Sequence, residues 1–252
     1  MRYFFVIFLI FFNNLLANNI DINKNYTISY GIFGKLGVAN AKVTIDKQNN
    51  YIIKMVAKAT GVSAFLSQHK QETYISKGKL INNKFVPNSF TKLVKNDVKT
   101  KQAYYTIDHK NKIVKLKNIK TKLNQNTNKW DKIQATKTLP YYAKNDILSL
   151  FFNLKYYIKE FKQGKEYDLH AIGANKNNGI INVIVPTKPQ FKDINKDLKT
   201  NQDTILKVFI NQKIFSSKRG ELLISLDKDG LCDIALLKDV LLFGDIKGKS
   251  IN

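Results

Sequence analysis

Apolar residues recur at every second position through most of this chain, in short runs that polar turns separate. The segment Tyr26–Phe33 (YTISYGIF) shows the pattern, and AKVTI and YIIKMVAKA repeat it on either side of the polar turn DKQNN. Successive side chains of a β-strand point to opposite faces, so a period of two predicts strands that bury one face. Because little helical pattern separates the runs, we expect antiparallel hairpins in a mainly β protein, and no βαβ units.

The runs continue towards the C-terminus without an internal repeat and without a boundary that would separate two cores. We therefore predict a single β-rich domain over residues 18–252, built on one antiparallel, strongly curved sheet or an open β-barrel. Two segments, Thr121–Thr138 and Phe191–Thr204, are polar and poorly periodic. We interpret both as exposed loops or edge strands.

One segment, Tyr141–Phe161 (YYAKNDILSLFFNLKYYIKEF), has a helical period instead. Its apolar residues fall on one helical face: Ile147, Leu150, Phe151, Leu154 and Ile158. Asn145 or Asp146 is suited to cap the start of a helix that we place at residues 145–161. Such a helix is about 24 Å long, short for a hydrocarbon layer of about 30 Å, and charged residues interrupt it. We expect the apolar stripe to face the core or a groove of the sheet, with a surface-lying amphipathic helix as the alternative.

The first residues have the layout of a secretory signal. Arg2 precedes an apolar run from Tyr3 to Phe12, two asparagines and the small residue Ala17. As a helix the run is too short to cross a bilayer. We predict a signal peptide over residues 1–17 and a periplasmic mature protein. An uncleaved N-terminal anchor is the alternative, because Leu15 is larger than signal peptidase prefers at its position.

The formal net charge of +23 points to an anionic partner such as a lipid or an anionic envelope polymer. All of the 42 basic residues except Arg2 and Arg219 are lysine. Readers of nucleic acid rely on the bidentate fork of arginine, which lysine lacks. The composition therefore argues against specific nucleic-acid binding.

Chemically reactive residues are scattered along the sequence. His69, His109 and His170 have no partner three or four positions away, and Cys232 is the single thiol, so no internal disulfide can form. Their spatial neighbours and the role of Cys232 stay open at this point. In LDKDGLCD, Leu226–Asp233, the ligand spacing of a calcium loop is missing, and DKDG between apolar runs indicates a hairpin. We predict no metal site.

Two glycine motifs also lack the context of a catalytic or phosphate-binding loop. The spacing in GIFGKLG, Gly31–Gly37, fits neither the dinucleotide nor the Walker pattern, so a bend between two strands is expected. GVSAF has Phe65 where a nucleophile elbow needs its second glycine. We therefore predict that the protein is not an enzyme and holds no cofactor.

Four segments together resemble the bacterial family called domain of unknown function 3108: YTISYGIFGKLGVANAKVTI, LINNKFVPNSFTK, DILSLFFNLK and the closing GELLISLDKDGLCDIALL with GDIKGKSI. The most specific piece resembles the family's Asp-x-Leu-Ser helix start, and it contains Asp146, Leu148, Ser149 and Leu154. The resemblance implies an exported, β-rich envelope protein. It also implies that Asp146 and Ser149 cap a helix and are not catalysts.

These observations favour a non-enzymatic periplasmic protein of the cell envelope that binds an amphiphile or an anionic envelope component. A sheet with one covering helix can leave an apolar groove, and the lysines supply a cationic surface. The alternative is a scaffold or assembly protein that docks another envelope protein through a strand edge or helix, without a small ligand. The sequence leaves the ligand and the oligomeric state open.

Overall fold

The computed structural model describes residues 21–31, 34–158, 161–174, 177–209, 220–240 and 244–251. The predicted signal peptide lies outside the described residues. Eight strands come first: β1 (Asp21–Tyr30), β2 (Gly34–Ile45), β3 (Asn50–Ala59), β4 (Gln71–Ile81), β5 (Lys84–Asn96), β6 (Lys99–Asp108), β7 (Ile113–Asn124) and β8 (Lys129–Thr138). The others are β9 (Asn145–Asp146), β10 (Glu166–Ile172), β11 (Ile180–Ile184), β12 (Thr204–Phe209), β13 (Glu221–Leu226), β14 (Cys232–Val240) and β15 (Gly244–Ile251). Four helices are described: α1 (Gly61–Leu66), α2 (Ile147–Phe152), α3 (Leu154–Tyr157) and α4 (Lys188–Leu198).

All of these strands belong to one sheet of 15 strands, in the order β8 to β1, then β15 to β9. The first and last strands, β1 and β15, pair antiparallel in the middle of the sheet, with Tyr26 opposite Ser250. They join a long wing, β1–β8, to a short wing, β10–β15. Neighbouring strands pair antiparallel except β9 and β10, which are parallel, with Asn145 opposite Ala171. The prediction of a mainly β fold on one antiparallel sheet is confirmed.

The sheet is neither closed nor strongly curled, which departs from the strong curvature that we expected. Its two terminal strands are β8 and β9, and β9 lies beside β5 instead of β8. The apolar segment that contains α2 and α3 lies between the wings. It therefore covers part of the sheet with its own side chains, so closure is not needed to bury that part.

The predicted helix over residues 145–161 is present in a shorter, broken form. Asn145 and Asp146 form β9, and Asn153 separates α2 from α3, with φ −92° and ψ 0°. The amide of Asn153 donates to the carbonyl oxygen of Phe85 (2.9 Å) and accepts from the N–H of Phe85 (2.9 Å). This side chain therefore binds the backbone of β5, which a residue within a regular amphipathic helix would not do. Phe161 lies beyond the helical residues.

The α2 and α3 segment packs on both wings. Leu150, Leu154 and Ile158 are buried against β10–β13 together with the half-buried Ile147 and Phe151, so the predicted stripe faces the core. From the other side of α2, Leu148 and Phe152 pack against β2–β5. We call the sheet face that this segment covers the inner face.

The outer face of the short wing carries α4, where Phe191, Ile194 and Leu198 pack against β12–β14. The interpretation of Phe191–Thr204 as a loop or edge strand is therefore wrong. Thr187 and Gln190 form a capping box that starts this helix, and three apolar residues at helical spacing hold it to the sheet. By contrast, Thr121–Thr138 does end in an edge strand: every residue of β8 is exposed.

Candidate functional site

The three histidines do not meet. His69 is exposed and contacts Asp97 (Nδ1 to Oδ2, 2.8 Å), while His170 is exposed on β10. The ring of His109 lies between the hydroxyl of Tyr142 (2.7 Å) and the carbonyl oxygen of Pro87 (2.6 Å). Within the described ranges, no three His, Cys, Asp or Glu side chains come together in a way that would hold a metal ion.

Cys232 begins β14 beside the side chains of Tyr26 and Lys24. The hydroxyl of Tyr26 donates to its carbonyl oxygen (3.0 Å). Burial raises the pKa of the Cys232 thiol to about 12, and the nearby Asp233 and Asp227 act in the same direction. The thiol is therefore protonated at neutral pH.

Asp146 is the N-cap of α2. Its carboxylate accepts from the N–H groups of Leu148 (2.8 Å) and Ser149 (3.0 Å), and the hydroxyl of Ser149 accepts from the N–H of Asp146 (3.0 Å). The hydroxyl of Ser76 on β4 donates to the same carboxylate (2.5 Å) and lies 3.0 Å from the hydroxyl of Tyr51. Burial raises the pKa of Asp146 to about 6, although these hydrogen bonds act to lower it.

This buried chain of Tyr51, Ser76 and Asp146 has the residue types of an active site but not its accessibility. Ser76 and Asp146 are 0% exposed and Tyr51 is 1% exposed, so no substrate reaches them. The Ser76 hydroxyl donates to a carboxylate, and no histidine stands between the two as a base. We conclude that the network fastens α2 to β3 and β4, which is the capping role expected of Asp146 and Ser149.

The accessible candidate site is a groove on the inner face, in the part of β1–β4 and β15 that α2 does not cover. It has a volume of about 860 Å³ and is lined mainly by apolar atoms. Its floor consists of inner-face residues of neighbouring strands, and α1 forms one wall. The floor residues are Ile28, Gly37, Ala57, Ala59, Glu72 and Ile246.

Strand register explains this floor. Ile28 lies opposite Gly37, Gly37 opposite Ala59, and Ala57 opposite Glu72, so all of these side chains share the inner face. A Cβ atom at Gly37 would lie 2.4 Å from the carbonyl oxygen of Lys58, so only glycine allows β2 and β3 to approach this closely. Small residues at positions 37, 57 and 59 leave the hollow that larger residues would fill.

Hydrogen bonds from Thr60 and Ser63 hold the wall α1 in place. The N–H of Thr60 donates to the carbonyl oxygen of Leu36 (2.9 Å), and the hydroxyl of Ser63 donates to the same oxygen and to that of Thr60 (2.6 Å). Val62 and Leu66 line the groove, yet they are 75% and 76% exposed. The wall therefore presents apolar side chains to the groove and to solvent.

A charged cluster closes one end of the groove. Lys70 forms an ion pair with Glu72 (2.8 Å), and the hydroxyl of Tyr74 donates to Glu72 (2.6 Å). Burial raises the pKa of the Glu72 carboxyl, but the hydrogen bonds from Lys70 and Tyr74 outweigh it and keep the pKa below its usual value. The ammonium group of Lys92 lies 5.2 Å from the centre of the Tyr74 ring.

The polar groups of the groove are mainly hydroxyls and lysines around an apolar floor. The hydroxyls of Ser63 and Ser67, which line the groove, donate to backbone carbonyl oxygens, so neither is paired with a base. Lys35, Lys58 and Lys70 border the groove, while Glu72 is its single acidic lining residue among those described. An apolar trough with a cationic border matches a molecule that has an apolar tail and an anionic head.

Comparison with protein-family models, with curated proteins and with solved structures gives no match for this chain. The resemblance to the domain of unknown function 3108 family therefore stays a prediction from short motifs. None of the helices in the described part of the chain is long and apolar enough to span a membrane.

Sequence reasoning allows for an apolar groove but gives neither its place on the sheet nor its wall. GVSAF has no catalytic context, but together with the following Leu66 it brings three large apolar residues close together between Thr60 and Ser67. The small residues Gly37, Ala57 and Ala59, at inner positions of β2 and β3, are a second signal. Neither signal says by itself which part of the sheet the helix leaves open.

Proposed function

We propose that this protein is a non-enzymatic, periplasmic cell-envelope protein that binds an amphiphile with an anionic head in the groove. The observation that carries the proposal is the apolar hollow of about 860 Å³ on the inner face. A hollow of this size is within the range of small-molecule sites in proteins. Its floor takes residues from β15 and β1–β4, so it suits an elongated tail that lies across these strands.

The charges support an anionic head group. Lys35, Lys58 and Lys70 are exposed at the border, and Glu72 is neutralised by its ion pair with Lys70. An anionic head would lie near the lysines while its tail displaces water from Ile28, Ala57 and Ile246. A cationic or neutral amphiphile would gain only the burial of its tail and not the attraction to the lysines.

The experiment fills the hollow with a side chain. Ala57→Trp places a large ring on the groove floor, and Ala135→Trp places the same ring on β8, where Ala135 is an exposed inner-face residue outside the groove. An anionic fluorescent fatty-acid analogue is titrated into each protein, and a neutral fatty-alcohol analogue serves as the comparison. We expect saturable binding of the anionic probe to the wild type and to Ala135→Trp, and binding weakened at least about tenfold in Ala57→Trp.

Equal binding of the probe by all three proteins would show that the groove is not the site. Absence of saturable binding by the folded wild type would reject the proposal as a whole. Circular dichroism and thermal melts of each variant establish that the folded state is retained.

A second candidate is a scaffold that docks another envelope protein, and β8 favours it. All ten residues of this edge strand are exposed, including Trp130 (52%) and Ile133 (69%), and in the described ranges no further strand pairs with its outer edge. An open edge can accept a strand from a partner. Ile133→Pro would remove a backbone donor from β8, so loss of a partner from envelope pull-downs with unchanged probe binding would favour this candidate.

A further inference from the structure

The helix α1 exposes an apolar surface that the proposed function uses only in part. Its three large apolar side chains, Val62, Phe65 and Leu66, are 75%, 77% and 76% exposed, more than any other large hydrophobic residue in the described part of the chain. They lie within five consecutive residues of one six-residue helix, at positions i, i+3 and i+4, so their exposed surfaces are contiguous. Contiguous apolar surface on a folded protein marks a site of interaction.

This surface is not a frayed end. The helix is tethered to β2 through Leu36, and the N–H of His69 donates to the carbonyl oxygen of Ala64 (2.7 Å). The carbonyl oxygen of Gln68, the residue before His69, accepts from the N–H of Asp97 in the β5–β6 turn (3.0 Å). The fold thus holds the apolar side chains outward on a fixed backbone.

Lysines surround the same end of the sheet. Lys35, Lys58, Lys70 and Lys95 are exposed on β2, β3, the loop after α1 and β5. The nearby acidic groups are already engaged, since Glu72 pairs with Lys70 and Asp97 contacts His69. The surroundings of α1 are therefore cationic.

We propose that α1 docks this protein onto an anionic phospholipid bilayer, with Val62, Phe65 and Leu66 in the headgroup region and the lysines against lipid phosphates. Apolar side chains flanked by basic residues bind anionic interfaces through burial of apolar surface and through attraction between opposite charges. Lysine suits this role because the attraction to a charged surface requires no bidentate geometry. Val62, Phe65 and Leu66 project outward and are mostly bare, so all three can enter the headgroup region together.

The docked orientation also gives the groove a source of ligand, and this part rests on the proposed function. Val62 and Leu66 line the groove as well as the exposed surface, so a bilayer at α1 would lie next to the groove mouth. Phe65 lies outside the groove lining. Substitution of Phe65 therefore separates docking from ligand binding.

The experiment is flotation of the full chain, recovered after export, with vesicles of phosphatidylcholine alone or of phosphatidylcholine with phosphatidylglycerol. We compare the wild type with Phe65→Ser and with the matched control Ile133→Ser, a substitution of an exposed apolar residue on β8. All three share one N-terminus, so any contribution of that segment cancels. We expect binding to the anionic vesicles that salt weakens, a loss of about tenfold in Phe65→Ser, and no change in Ile133→Ser.

The charge contribution has its own pair of variants. Lys95→Gln removes an exposed lysine of β5 at the same end of the sheet as α1, and Lys188→Gln removes an exposed lysine at the start of α4. We expect affinity for anionic vesicles to fall about fivefold for Lys95→Gln and to stay unchanged for Lys188→Gln.

Equal flotation of the wild type and Phe65→Ser would overturn the docking proposal, as would equal binding to both kinds of vesicle. Self-association that Phe65→Ser abolishes, without vesicle binding, would assign α1 to a second copy of the chain and also overturn it. Probe binding to the groove, measured in parallel, distinguishes the two proposals. If the protein docks on vesicles but does not bind the probe, the proposal of a groove ligand is rejected. If it binds the probe but does not dock, the proposal of membrane docking is rejected.

Discussion

At one end of β2 and β3, the inner-face residues Val43, Ile45, Tyr51 and Ile53 lie under Leu148 and Phe152 and are at most 8% exposed. At the other end of the same strands, α2 is absent and the inner face forms the floor of the groove. The two ends share strands, register and alternation. What differs is the size of the inner-face residues and the element that covers them.

Under the proposed function, one hydrophobic sheet face serves both stability and binding. Large side chains where α2 crosses fill the space between helix and sheet, whereas Ala57 and Ala59 beyond it leave a hollow. Substitutions at the covered end should therefore change stability, and those at the open end should change binding.

The largest expected effect is a cavity at the covered end. Ile53→Ala should lower the free energy of unfolding by about 4 kcal/mol, because Ile53 is 1% exposed and packed under α2. Urea denaturation monitored by circular dichroism measures the change. A loss of less than about 1 kcal/mol would mean that the covered end is not tightly packed.

A pH dependence at the covered end is the next effect in size. The pKa of Asp146 is raised from 3.8 to about 6, so between these values the unfolded chain releases a proton that the folded protein keeps. Stability should therefore fall as the pH rises through this window, by about 3 kcal/mol in total, and then stay level.

Asp146→Asn tests this directly, since an amide keeps the shape of the side chain without titrating. The variant should lose the fall in stability between these pH values when urea unfolding is repeated across the range. If wild type and variant have parallel pH profiles, the burial of Asp146 is not the cause.

Loss of the Asn153 side chain should have a smaller effect. Asn153→Ala removes two hydrogen bonds to the backbone of Phe85 and one to Asn145, so we expect a loss of about 2 kcal/mol. Thermal unfolding measures it, and Asn201→Ala at an exposed position is the comparison. Equal melting temperatures for the two variants would contradict a stabilising role for the hydrogen bonds of Asn153 between α2 and β5.

Much of the covered end follows from the sequence, because its causes are local. Alternation in YIIKMVAKA predicts β3, and the spacing of Leu150, Leu154 and Ile158 predicts a helix with a buried stripe. The break at Asn153 does not follow, because its partner Phe85 is 68 residues away in the chain. Local periodicity contains no information about such a contact.

The sequence predicts much less of the open end, which forms the groove. Its existence depends on where α2 stops along the strands, which is a property of the tertiary packing. The helix α4 was missed for a related reason: lysines and aspartates surround Phe191, Ile194 and Leu198, so three apolar residues did not stand out as a period. Packing against β12–β14 supplies what the local pattern lacks.

The smallest effect belongs to the exposed wall of the groove. Leu66→Ala should change the free energy of unfolding by no more than about 0.5 kcal/mol, because Leu66 is 76% exposed. The same urea titration compares it with Ile53→Ala. A large loss would place Leu66 in the core and remove the basis for an open end.

Native mass spectrometry of the protein purified from expressing cells, with Ala57→Trp and Ala135→Trp measured alongside, shows whether the groove holds a ligand. We expect the wild type and Ala135→Trp to carry an added mass that organic extraction identifies as an anionic amphiphile, and Ala57→Trp to be released from the cell without it. An identical bare mass for all three proteins, or the same added mass on all three, would contradict a ligand held in the groove.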